Sequence, residues 1–188
     1  RWFEEGCLSV QSRAACYQGE RVRAFMERPA AGQTQVAVWM EREDGTEILR
    51  GTASVGRDHP ASAVQEKLAQ LTPSERRVIL RDVEPGMKRG RISIRMDAHT
   101  RMGALYPFSL ADKLAVITEP SPLFEPSAGG GPWGRAIVPV GMVSVLLNHL
   151  ASGDPWTIHG PTVDLFTDQG FAMVADPVFV GEAYEIER

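Results

Sequence analysis

An apolar helix behind a proline- and glycine-rich loop constrains the fold of this chain more than any other feature. The residues Val140 to Leu150 are apolar on nearly every side of a helix, and such a helix has to be buried by other elements. The loop ahead of it, Glu119 to Pro139, contains several prolines and the run Gly129-Gly130-Gly131, which exclude a helix or a central strand. The sequence therefore predicts a buried helix over residues 139–151.

Strand signals dominate the first 56 residues. Val36, Val38 and Met40 alternate with their neighbours at the period of a half-buried strand. The pair Asp44-Gly45 favours a tight hairpin turn, after which the run 47–55 should return antiparallel. With two further runs at 8–17 and 21–27, the pattern predicts a meander of about four strands.

The following segment, residues 59–81, is typical of a helical connector. Ser62-Ala-Val-Gln65 begins one short helix, and Thr72-Pro73-Ser74-Glu75 has the form of a capping box for a second. Beyond it we expect a strand over 91–97, a helix capped by Ser109 with Leu110, Leu114 and Ile117 on one side, and strands again in the tail, 162–188.

Composition excludes several classes of function. The net charge of −4 and the absence of a basic run argue against nucleic-acid binding. The longest apolar stretch, Ala136 to Leu147, is too short to span a bilayer, so we expect a cytoplasmic protein with no membrane partner. Cys7 and Cys16 fit free buried thiols better than a disulfide or metal pair. No two of the four histidines have metal-ligand spacing, so no metal is predicted.

One internal repeat is visible. The run Tyr17-Gln-Gly-Glu-Arg-Val22 aligns with Phe179-Val-Gly-Glu-Ala-Tyr184, and in both an aromatic residue precedes a Gly-Glu turn that leads into a strand. A repeat of this kind predicts two copies of one fold. The chain would then open and close at equivalent points of the two copies, as the middle of a longer protein. Within this chain the first copy would lack its helical half, and the second would lack its last strands.

The order of elements from Asp82 to Arg188 resembles the MaoC-like acyl dehydratases. A strand and a short helix are followed by a loop with a Pro-hydrophobic pair, a buried helix opening with Gly-Met, and antiparallel strands. The resemblance implies an α+β hotdog fold, in which an antiparallel sheet wraps around a long central helix. It further implies a double hotdog, with residues 1–58 as the sheet half of the first repeat and 82–188 as the second.

The motif match is partial. The hydratase motif of this family is Asp, two residues, Pro, one residue, His, followed later by His-Gly-Met. In this chain Glu119 stands in the place of the Asp, and Phe124 stands in the place of the first His. Downstream, Val140 replaces the second His, while Gly141-Met142 is retained. The frame of the motif is therefore kept, and its histidine base is missing.

The resemblance implies an enoyl-type acyl thioester, carried by coenzyme A or a carrier protein, as substrate in fatty acid metabolism, with no separate cofactor. Hydration of such a thioester needs a base for the water and donors for the thioester oxygen. The expected catalytic groups are the Glu119 carboxylate and the Gly141 amide. The expected substrate-binding residues are Ser121, Phe124, Trp133, Arg135, Val140 and Met142, with Arg135 placed to meet the phosphates of coenzyme A.

Two hypotheses remain open at the level of sequence. The chain is either a hydratase or dehydratase, or a catalytically silent hotdog domain that binds acyl thioester or completes a pair. Simpler interpretations exist for the individual residues: Glu119 as a solvated loop carboxylate, Gly141 as a helix-packing glycine, Trp133 as a packing aromatic. Because a hotdog exposes sheet edges, we expect a homodimer or an intrachain pair of hotdogs.

Overall fold

The structure is a computed structural model that describes residues 1–72, 74–84, 86–88, 90–102, 106–117, 120–125, 131–153, 156–161 and 167–187, with side chains in the long helix described as far as Leu146. In chain order the helices and strands are α1 (Trp2–Glu5), β1 (Gly6–Ser12), β2 (Val22–Met26), β3 (Gln35–Arg42), β4 (Glu47–Val55), α2 (Ala63–Gln70), β5 (Arg91–Arg95), α3 (Leu110–Ala115), α4 (Val140–Gly153), β6 (Asp168–Ala172) and β7 (Ala183–Glu187).

The chain folds into two compact units. The first unit contains Arg1–Glu75 and Val163–Asp176, and the second contains Arg76–Thr162 and Pro177–Arg188. The first unit holds a five-stranded antiparallel sheet in the order β2-β3-β4-β1-β6. The second holds the antiparallel pair β5-β7 and the helices α3 and α4. The mixture of helices and antiparallel strands confirms the α+β class.

The predicted hairpin joins β3 to β4. Gly45 adopts φ +83°, a left-handed conformation that glycine tolerates, and the Gly45 amide donates to the Arg42 carbonyl at 3.0 Å. The Asp44 carboxylate accepts from the Thr46 amide at 2.9 Å. Four strands form where four were expected, but the predicted meander is wrong in its order. β1 pairs with β4 and not with β2, because the connection over residues 13–21 crosses past the hairpin.

The two faces of this sheet differ in chemistry. One face carries α2 and mixes polar side chains such as Ser9 and Thr52 with the aromatic pair Phe25 and Trp39. The helix α2 begins where it was predicted, and Ser62 and Gln65 form a capping box there. The first amides of α2 donate to the sheet: Ala63 to the Thr52 hydroxyl at 3.1 Å and Val64 to the Ser9 hydroxyl at 2.8 Å. Ser9 is fully buried, so this bond satisfies a polar group that would otherwise be costly. The second predicted connector helix does not form, since residues 74–84 lie in turns and irregular structure.

The opposite face, which we call the apolar face, carries hydrophobic side chains from every strand. Alternation along the strands and the observed register place Leu8, Val10, Val22, Ala24, Met26, Val36, Val38, Met40, Leu49, Ala53, Val55 and Phe171 on this face. Of these side chains only Val36 is buried; the others are half-buried or exposed.

A hydrophobic core forms in the second unit. It is built by Ile94, Met96, Met102, Leu110, Val138, Met142, Val145 and Leu146, with Ile186 of β7 packed against it. The helix predicted over 139–151 is confirmed as α4, and its described apolar side chains are buried or half-buried. Ser109 caps α3 with a capping box to Asp112. Ile117 lies beyond the end of α3 and is 40 % exposed, because the helix stops at Ala115.

The two turns that the sequence repeat aligns have similar local structure. Both aligned turns contain a left-handed glycine, Gly19 at φ +89° and Gly181 at φ +79°. Both also close with an amide-to-carbonyl bond across the turn, from Glu20 to Tyr17 at 3.2 Å and from Glu182 to Phe179 at 3.5 Å. A strand precedes and a strand follows each turn at matching spacing, but β1 and β2 lie in one sheet, whereas β6 and β7 lie in two different sheets.

The two corresponding strands β1 and β6 pair with each other. Leu8 lies opposite Phe171, and Ser9 lies opposite Gly170. In the repeat, Phe171 is the equivalent of Ser9, and Gly170 is the equivalent of Leu8. This exchange follows from the antiparallel direction of two aligned strands.

Two further expectations concern cysteines and membranes. Both cysteines are free thiols, but only Cys7 is buried; Cys16 is exposed in the connection after β1, so the expectation of two buried thiols is wrong for Cys16. Among the helices built by described residues, none combines the length and hydrophobicity that crossing a bilayer requires.

Candidate functional site

The loop ahead of α4 is anchored on both sides by backbone hydrogen bonds. The Ile137 amide donates to the Leu123 carbonyl at 2.9 Å, which ties the two ends of the loop together. The Val138 amide donates to the Val178 carbonyl at 2.6 Å, and the Val180 amide donates to the Ala136 carbonyl at 2.9 Å. These bonds fix the direction in which the chain enters α4.

At the start of α4 a buried residue, Met142, lies next to an exposed one, Gly141. Val140 is half-buried as the first helical residue, and Met142 is 5 % exposed in the core, where it packs with Val145 and Leu146. Gly141 between them is exposed, and apart from its chain neighbours and the nearby backbone of α4 itself, no described atom lies within 4 Å of the position that a Cβ would occupy. A packing requirement for glycine at this position is therefore not found among the described residues.

The helix N-terminus has the electrostatics that an oxyanion needs. The first amides of an α-helix have no carbonyl partner within the helix, and the aligned peptide dipoles place partial positive charge there. No basic or acidic side chain lies in the first turn of α4. The backbone at Val140 and Gly141 is thus the polar feature that the helix start offers to a ligand.

The motif segment at the start of the loop forms a 3-10 turn over Pro122–Phe124. Ser121 caps this turn, because its hydroxyl accepts from the Leu123 amide at 3.4 Å and its carbonyl accepts from the Phe124 amide at 3.1 Å. Phe124 is half-buried. Glu119, the expected catalytic carboxylate, lies outside the described residues.

Trp133 and Arg135 both contact Phe179, which the sequence analysis did not predict to be a functional residue. The guanidinium of Arg135 lies 3.7 Å from the centroid of the Phe179 ring, and the Trp133 ring meets the same ring edge-on at 6.4 Å. Arg135 also forms an ion pair with Glu182, with Nη1 and Oε2 at 2.9 Å. The charge expected to meet coenzyme A phosphates is thus paired within the chain.

Tyr184 completes this cluster. Its hydroxyl accepts from the Phe179 amide at 2.7 Å and donates to Glu182 at 3.2 Å. Burial raises the pKa of the Tyr184 phenol above its ordinary value. The repeat motif contains three residues of this cluster, Phe179, Glu182 and Tyr184. The same motif therefore supplies the contacts that Arg135 makes in the loop ahead of α4.

A second polar pair lies elsewhere in the same unit. His159 Nε2 and the Asp82 carboxylate are 2.5 Å apart, and the His159 amide donates to the Ile79 carbonyl at 2.9 Å. The hydrogen bond from His159 holds the pKa of Asp82 below its usual range. His159 is therefore engaged by Asp82. The described residues contain no group of three or more His, Cys, Asp or Glu side chains that would hold a metal ion.

Comparison of the chain with protein-family models, with curated proteins and with solved structures finds no match.

Proposed function

We propose that the second unit binds an acyl thioester at the start of α4, in the manner of the MaoC-like hydratases that its motif order resembles, and that the two repeats have the hotdog fold. The observation that carries this proposal is the exposed Gly141, which leaves open space beside the first amides of a buried helix. A thioester oxygen that gathers negative charge is stabilised by such amides.

The first form of the proposal is hydration and dehydration of an enoyl thioester with Glu119 as the base. Glu119 removes a proton from water, the water oxygen bonds to the β-carbon, and the electron pair of the double bond moves toward the thioester oxygen. The Gly141 amide supports that oxygen. The proton held by Glu119 then passes to the α-carbon, which restores the carboxylate. Dehydration is the reverse.

The second form is a domain that binds the thioester without turning it over. Phe124 favours this form, because a half-buried hydrocarbon ring stands where the family has a proton-transferring histidine. Loss of one acid–base group typically lowers a rate by about 10²–10⁴. In this form the domain shapes or completes a binding site whose chemistry lies in the other repeat.

One experiment separates the two forms. Hydration of crotonyl-coenzyme A is followed by loss of enoyl absorbance, and binding of a non-reactive acyl-coenzyme A is followed by calorimetry. The hydratase form predicts turnover that falls by about 10²–10⁴ in Glu119→Gln and stays unchanged in Glu125→Gln, a control at an exposed carboxylate of the same loop. Binding without turnover supports the silent form. Absence of binding overturns both.

A further inference from the structure

A cleft of about 550 Å³ lies in the first unit, beside α2 on the face of the sheet that carries this helix. Because α2 lies over β1, β4 and β6, the cleft opens toward β3. Small side chains, Ala37 and Thr52, form its floor, and α2 contributes Ala63 and Lys67 to its wall. Sites for small molecules have volumes of about 300–1,000 Å³, so the cleft has room for a small ligand.

The charged lining of this cleft is mostly cationic. Arg13 lies directly after β1, Arg50 lies in β4 and Lys67 lies in α2, and all three line the cleft. Glu66 of α2 is the one carboxylate among the described residues of the lining. The chain as a whole has a net charge of −4, so the cleft reverses the sign of its surroundings. A concave surface of one sign concentrates ligands of the opposite sign.

Two of these cations are held in position by carboxylates outside the lining. Arg50 donates through Nε to Glu47 Oε2 at 2.8 Å, and Lys67 Nζ lies 2.7 Å from Asp168 Oδ2. The pKa of Glu47 is lowered chiefly by the bond from Arg50, and the pKa of Asp168 chiefly by the bond from Lys67. The charge of Arg13 contributes to both shifts, so Arg13 lies near both pairs. No described residue forms a hydrogen bond or ion pair with its guanidinium.

The cleft therefore offers many hydrogen-bond donors and few acceptors. Guanidinium and ammonium groups carry several N–H donors and no acceptor, and the bonds to Glu47 and Asp168 occupy only part of the donors of Arg50 and Lys67. A matching ligand presents several negatively charged oxygens. A phosphate group presents three acceptor oxygens in a tetrahedral arrangement. This geometry suits cations on three different elements better than the coplanar oxygens of a carboxylate do.

The neutral lining residues suit hydroxyl groups. Gln11 donates through Nε2 to the Ala63 carbonyl at 3.3 Å, and its Oε1 can accept from a ligand. The Thr52 hydroxyl accepts from the Ala63 amide at 3.1 Å and keeps its own proton to donate. The lining therefore combines cations for an anionic group with donors and acceptors for a polar, uncharged body.

We propose that this cleft binds a phosphate monoester of a small polyol, such as a sugar phosphate. Arg13, Arg50 and Lys67 hold the phosphate group, and Gln11 and Thr52 bind hydroxyl groups of the polyol. The site concerns the first unit alone, and it does not depend on the proposed binding of an acyl thioester by the second.

The test is calorimetry with ribose 5-phosphate, with ribose as the uncharged control ligand. Arg13→Gln removes the cation of the cleft whose loss breaks no ion pair among the described residues. Arg28→Gln removes an exposed arginine of the connection between β2 and β3, and it is the matched control for net charge. Ala37→Leu fills the floor of the cleft and leaves every charge in place. Glu66→Gln removes the carboxylate of the lining.

We expect Arg13→Gln to weaken the binding of ribose 5-phosphate by about tenfold or more, the loss typical of a hydrogen bond between charged groups. Ala37→Leu should weaken it at least as much, and Arg28→Gln should leave it unchanged. Glu66→Gln should strengthen it by about twofold to fivefold, because a like charge is removed beside the phosphate.

Three results would overturn the proposal. The first is the absence of binding at millimolar ribose 5-phosphate, or equal binding of ribose. The second is an equal loss of affinity in Arg13→Gln and Arg28→Gln, which would show an effect of net charge alone. The third is weaker binding in Glu66→Gln, which would mean that the carboxylate contacts the ligand and that the cleft selects a cationic group.

Discussion

Replacement of Gly141 by alanine should make the protein more stable and its ligand binding weaker. The position lies in the first turn of α4, and apart from chain neighbours and the nearby backbone of α4, no described atom lies within 4 Å of the new methyl group. Glycine costs a helix interior about 0.5–1 kcal/mol relative to alanine, because the unfolded chain has more conformational freedom. We therefore expect a gain of up to about 0.5–1 kcal/mol in the free energy of unfolding.

The same methyl group would occupy the space in which the proposal places the thioester oxygen. Close approach to the amide is lost, so the affinity for a non-reactive acyl-coenzyme A should fall by about tenfold or more, which corresponds to about 1.4 kcal/mol or more. Gln70→Ala, at an exposed position of α2 away from this site, is the control. It should also raise helix propensity, and it should leave binding unchanged. Urea unfolding gives the stability and calorimetry gives the affinity.

The reasoning predicts a higher free energy of unfolding together with a lower affinity, so both quantities have to be measured to test it. A Gly141→Ala variant that is less stable would show that the glycine is required for packing. A variant that is more stable and binds as tightly as the parent would show that the helix start does not contact the thioester. Either result refutes the role assigned to Gly141, and the second also removes the observation that carries the proposed function.

Three further predictions concern stability. Gly51→Ala should cost about 2–3 kcal/mol in urea unfolding, because its Cβ would overlap the Ser9 carbonyl oxygen and lie 2.8 Å from Val10 Cα on the neighbouring strand; a wild-type midpoint would contradict this. Ser109→Ala removes the cap of α3 and should cost about 1 kcal/mol, measured as a lower midpoint of thermal unfolding. Burial raises the pKa of the Cys7 thiol above 9.0, so the folded state holds this proton more tightly than the unfolded state. That contribution to stability is present below the unfolded pKa and is lost as pH rises through the folded one; Cys7→Ala should lose less stability than the parent between neutral pH and about pH 10, and parallel curves would contradict the assignment.

The strands and the buried helix were predictable because local patterns determine them. The alternation at Val36 and Val38, the Asp44-Gly45 turn and the all-round apolar helix each depend on a few neighbouring residues. The strand order was not predictable in this way. Whether β1 pairs with β2 or with β4 depends on contacts between residues far apart in sequence, and on burial of Ser9 beneath α2, which no short pattern records.

The candidate site was predictable in part. The sequence located the α4 start and singled out Trp133 and Arg135, and the structure brings these two residues together at Phe179. The sequence did not reveal the ion pair between Arg135 and Glu182, because the two residues are far apart in sequence and only the fold brings them together. A charged residue at a glycine turn in both copies of the repeat was the available signal, and Glu20 in the first copy likewise pairs with an arginine, Arg42, at 3.1 Å.

The pairing of β1 with β6 has a consequence for how the molecule assembles. It joins residues as distant in sequence as Cys7 and Ala172, so all the residues between β1 and β6 have to be synthesised before the sheet gains its fifth strand. Contacts of such long range slow folding, since the entropy of closing the intervening chain is lost before the contact forms. During synthesis β1 presents an open strand edge while α3 and α4 emerge. We therefore expect refolding to show an early phase for the β3–β4 hairpin and a late phase that reports closure by β6.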